Sequence, residues 1–83
     1  MRAYISGKHY TIDTGRADGY CDDPSKDGRQ ILIPNSVRNT QRSLEVLIHE
    51  VLHASQWSAS EAKVERTARD LSRILWRLKW RQK

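Results

Sequence analysis

Two patterns of apolar positions divide this chain. Up to about residue 34 they fall in short β-favouring runs between turn residues, and from residue 44 onward they recur at helical spacing. Leu44, Leu47, Ile48, Val51 and Leu52 form one broad apolar face. They predict a helix running to about Ser55 or Gln56, with Asn39 or Thr40 as its N-cap. A break follows at QWSAS, residues 56–60. Val64, Ala68, Leu71, Leu75 and Leu78 then repeat at spacings of four, three, four and three, predicting a buried stripe on a second helix that runs to about Trp80. Its start has two cap candidates. Ser58 with Glu61 forms a possible capping box, and Ser60 is the alternative. Such a short break brings two helices back as an antiparallel hairpin, with Trp76 and Trp80 closing one edge of the core.

In the first half, KHYTID (residues 8–13) alternates weakly and reads as a short strand. CDDPSKDGRQ is rich in Asp, Pro and Gly and reads as a turn or exposed loop. The best strand is RQILIP, whose centre Ile31, Leu32 and Ile33 favours β structure and which Pro34 ends. Residues 20–22 can pair with it across the loop. Two strands alone are not stable in water, so the sheet must lean on a helix. The expected fold is α+β, a small curled antiparallel sheet packed on a two-helix antiparallel hairpin, in a single domain.

Composition narrows the class. The chain has 83 residues, 37% hydrophobic and 30% charged, which suits a small polar domain with a modest core. No run is long and apolar enough to span a membrane, and MRAYISGKHY lacks the apolar core of a signal peptide. Cys21 is the only cysteine, so no internal disulfide forms. These features together predict a cytoplasmic setting, in a bacterial cell or a phage-infected host. The formal charge is +5, with Arg69, Arg73, Arg77, Lys79, Arg81 and Lys83 concentrated near the C-terminus. Arg66, Arg69, Arg73 and Arg77 spread over a wide arc of the second helix. That describes a solvated face better than a nucleic-acid surface, and nucleic acid is not expected as the primary partner.

The chemistry lies in HEVLH, residues 49–53. Side chains four apart share a helix face, so the His49 and His53 imidazoles can reach one ion. Glu50 is turned by about 100° and can reach water on the open side of that ion. A catalytic zinc keeps three protein ligands and one water, so a third ligand is required. Folding the second helix back around residues 56–60 returns Glu61 and Glu65 to the level of the histidines. Glu61 is the expected ligand and Glu65 the support of a histidine ring, with an exchange of their roles left open. His9 reads as an exposed strand residue and Cys21 as a partly buried strand thiol.

LEVLIHEVLHASQW followed by SEAKVERTA resembles the zincin metallopeptidases of the gluzincin type, and also small phage and prophage metallopeptidase-like proteins. The resemblance spans about residues 20–76. It implies a Zn2+ cofactor held by His49, His53 and Glu61, with Glu50 as general base, and a peptide or protein as substrate. It also implies an edge strand above the active-site helix that pairs with extended substrate, and the strand of Ile31, Leu32 and Ile33 takes that place. Two departures stand out. The gap from His53 to Glu61 is much shorter than in large gluzincins, and the subdomain that walls their cleft is missing, leaving room for a protein partner to complete it. Tyr20, Tyr10 or an arginine are the candidates for stabilising an oxyanion.

The rival reading is a non-catalytic, zinc-stabilised interaction module of a phage or bacterial assembly, in which the metal contributes folding energy. An Asn or Gln at position 50 would fit that role better; the glutamate present favours catalysis.

Overall fold

A computed structural model describes residues 1–15, 19–33 and 41–78. Four strands, β1 (Arg2–Ile5), β2 (Lys8–Thr14), β3 (Tyr20–Cys21) and β4 (Gln30–Ile33), precede two helices, α1 (Gln41–Ser55) and α2 (Glu61–Arg77). β1 has no counterpart in the sequence reading. It forms a hairpin with β2 in which Ile5 faces Lys8 across a two-residue loop. Ser6 and Gly7 both take positive φ, 51° and 77°, the turn geometry that matches the twist of paired strands. The Ser-Gly pair between two alternating runs was the available signal.

The expected curled antiparallel sheet is corrected to an open, mixed one. The strand order is β1-β2-β4-β3, with β1 and β3 as its two edges. β1–β2 and β3–β4 are antiparallel, but β2 and β4 run parallel, Ile12 opposite Ile31. The chain leaves β2, passes over to build β3, and returns as β4 between them. The most apolar strand thus takes the centre, where Ile31 is fully buried. The pairing of residues 20–22 with the Ile31 strand is present, with Cys21 opposite Ile31.

The loop between β3 and β4 is tied down by Asp22. Its Oδ1 accepts hydrogen bonds from the Tyr20 hydroxyl and the Lys26 ammonium, and its Oδ2 accepts from the Gln30 N–H at 2.8 Å. Asp23 Oδ1 accepts from both the N–H and the hydroxyl of Ser25, an Asx turn of the kind the Asp-Pro-Ser run favours. Burial opposes ionisation of Asp22, yet the bonds from Tyr20, Gln30 and Lys26 outweigh it and hold the carboxyl below its usual range.

α1 packs on β4, β3 and β1 with one side and on α2 with another. Tyr10, Cys21, Ile31 and Ala54 form the core between sheet and helix. α2 begins with Ser60 as N-cap, its hydroxyl accepting from the Lys63 N–H at 3.2 Å. The buried line on α2 is Val64, Ala68 and Ser72. It replaces part of the expected stripe, since Leu71 is 39% and Leu78 65% exposed. A contact that follows every fourth residue is the ridge by which helices commonly cross. Ser72 fits there because its hydroxyl bonds back to the Arg69 carbonyl at 2.9 Å. Trp76 is half-buried; Trp80, the Asn39 or Thr40 cap and the basic tail from Lys79 lie outside the described residues. Among the described residues, no helix is long and apolar enough to cross a membrane.

Candidate metal centre

The second helix decides this site at its first residue. With Ser60 as the cap, Glu61 opens α2 and is not used in a Ser58 capping box. A carboxylate in the first turn complements the positive end of the helix dipole. From there it turns towards α1, where Oε1 lies 2.8 Å from His49 Nε2 and Oε2 lies 2.9 Å from His53 Nε2. The two Nε2 atoms are themselves 3.0 Å apart. His49, His53 and Glu61 thus form a three-residue cluster whose ligand atoms converge within 4.8 Å of one another.

The donor set suits a divalent metal. Two ring nitrogens and two carboxylate oxygens crowd one point, and a cation there would draw lone pairs from all three side chains. Two imidazoles and one carboxylate are the ligand set of a catalytic zinc with one open position. Contacts of 2.8, 2.9 and 3.0 Å already bring the three side chains together, and they need only part slightly to admit an ion. Glu61 is 63% exposed, which gives its carboxylate room to make that adjustment.

Glu50 lies one position from His49 and points towards β3. It is 5% exposed, but it borders the hollow in front of the cluster, which measures about 380 Å³ and also touches Gly19, Tyr20 and Trp57. Cys21 borders the same hollow from β3. Burial first, then the negative charges of Glu50 and Asp22, push its thiol up to about 12, so it stays protonated and is a poor nucleophile. Glu65 shares a neighbouring hollow with Arg42, Glu45 and His49. It stands outside the convergent cluster.

Other expectations sort themselves by position. Ile31, Leu32 and Ile33 are not at the sheet edge, because β4 has β2 on one side and β3 on the other; the strand edge beside the histidines is β3. Tyr10 is in the core, its hydroxyl buried without a hydrogen-bond partner among the described residues, and burial pushes its pKa up. It does not border the hollow. Tyr20 does, with its hydroxyl donated to Asp22. His9 is exposed and stacks on Tyr4 with ring centroids 3.9 Å apart.

Sequence reasoning misses two neighbours of the site. Trp57, four residues after His53, sets its ring edge-on to the His53 imidazole at 6.4 Å; the spacing of four was the available signal. Gly19 stands in a connector whose sequence gives no sign of its place. No family model matches the sequence, and no curated protein or solved structure is significantly similar to it. The likeness to zincins therefore rests on the HExxH-type triad itself.

Proposed function

We propose that the chain is a zinc-dependent peptidase domain. The observation that carries this reading is the convergence of His49, His53 and Glu61, from two helices, beside the carboxylate of Glu50. His49 and His53 Nε2 and the Glu61 carboxylate would hold the ion. Bound there, zinc lowers the pKa of a coordinated water and polarises a scissile carbonyl. Glu50 takes the proton of the attacking water on its carboxylate and returns it to the departing amine. Its burial beside β3 keeps bulk water from competing for that proton. The peptide is placed at β3, because β3 is the sheet edge next to the histidines and an extended chain adds to an edge strand by backbone hydrogen bonds. Tyr20 and Trp57 flank that path.

A zinc-stabilised interaction module has one observation in its favour. Among the described elements α2 packs only on α1, so an ion pinning Glu61 to His49 and His53 would stiffen a thin hairpin. Glu50 separates the two readings. In Glu50→Gln, zinc content should stay at one per chain while cleavage of a mixed peptide library disappears. Wild-type protein that binds zinc but cleaves nothing would leave the module reading standing.

A further inference from the structure

Gly19 enters β3 directly in front of the general-base candidate. Its φ is +82°, a region that side chains avoid. A methyl group on its α-carbon would stand 2.5 Å from Oε2 and 3.1 Å from Cδ of Glu50, and 2.9 Å from Cγ1 of Val46. Val46 and Glu50 are one turn apart on the side of α1 that packs on β3. Carbon and oxygen atoms do not approach to 2.5 Å without bonding, so any side chain at position 19 would have to displace the carboxylate. The backbone conformation and the contact each select glycine independently.

We propose that Gly19 is the positioning residue for Glu50. The missing side chain leaves a slot between β3 and α1, and the Glu50 carboxylate occupies it, held beside His49 and His53 at the edge of the hollow. The slot joins the strand assigned to substrate to the group assigned to the proton, so whatever shifts β3 shifts the base with it. The catalytic meaning of the slot rests on the peptidase reading; the slot itself does not.

The test is a four-protein comparison of metal-free melting temperatures: wild type, Gly19→Ala, Glu50→Ala and the double variant. Strain at positive φ and the contact with Val46 act in both backgrounds and cancel. If Glu50 fills the slot, Gly19→Ala lowers the melting temperature at least twice as far in the wild-type background as in the Glu50→Ala background. Losses in the two backgrounds that differ by less than two-fold overturn the proposal. On the zinc-loaded protein, Gly19→Ala should lower kcat at least ten-fold with KM within two-fold and zinc still bound; unchanged kcat also overturns it. Absence of hydrolysis by wild type would reject the peptidase reading instead, and the melting comparison would still decide whether the slot exists.

Discussion

His49 and His53 present their Nε2 atoms to each other at 3.0 Å, with ring centroids 4.7 Å apart and planes 64° from parallel. One helical turn sets that spacing, and the Glu61 carboxylate bridges the two rings from the opposite helix. Either imidazole alone would be an ordinary polar residue at a helix interface. Together they bring two ring nitrogens to one point.

Zinc should stabilise the fold, because His49 and His53 lie on one helix and Glu61 on the other. At a free concentration one hundred times the dissociation constant, binding contributes about 2.7 kcal/mol. In a domain of this size that raises the melting temperature by upwards of about 10 °C. The rise should be absent in His53→Ala and reversed by a chelator. A melting curve indifferent to zinc in wild type would remove the metal from the site.

Glu61 and Glu65 should differ sharply. Glu61→Ala removes one of the three groups of the cluster and should weaken zinc by at least about 10-fold, whereas Glu65→Ala, outside the cluster, should change it by less than about three-fold. Competition against a chromophoric chelator measures both. The opposite ranking would mean that α2 turns its second acidic residue to the ion.

Asp22 should matter to stability and to its pH dependence. Asp22→Ala removes the carboxylate that accepts from Tyr20, Lys26 and Gln30 and should cost about 1–3 kcal/mol in urea unfolding at pH 7. The folded carboxyl ionises below its usual range, so its contribution is complete above the unfolded pKa of about 3.9 and fades as pH falls through the lower folded value. The gap between wild type and variant should therefore narrow in acid. A gap constant from pH 7 to pH 2 would contradict the assignment.

Cys21 should resist alkylation. With its thiol at about 12 in the folded chain and near 8.5 when unfolded, iodoacetamide at pH 8 should react at least about 100-fold more slowly with native than with denatured protein. The folded state keeps a proton that the unfolded chain releases above pH 8.5. This group therefore withdraws stability as pH rises from there towards 12. Equal alkylation rates would place the thiol outside the core.

Much of the site was legible along the chain because helical spacing is a local property. Positions 49 and 53 share a face in any helix, and a five-residue break leaves the next helix little choice but to return, bringing Glu61 to the histidines. The choice of Glu61 over Glu65 was legible only in outline, since it turned on which serine capped α2. Ser60 took the cap, and Glu61 was left to face α1.

The sheet was not legible in the same way. Sequence alone determined the β4 strand, its partner β3, the two helices and the spacing of the His49, His53 and Glu61 cluster, all consequences of chemistry within a few residues. Only the tertiary structure decided that β4 sits inside the sheet with a parallel neighbour, that β3 is the edge beside the histidines, and that Gly19 faces Glu50. Strand order depends on which strand buries the most apolar surface once the whole layer is assembled. The packing of a glycine against a glutamate thirty-one residues away depends on how that layer meets α1, and neither distance is written in any local pattern.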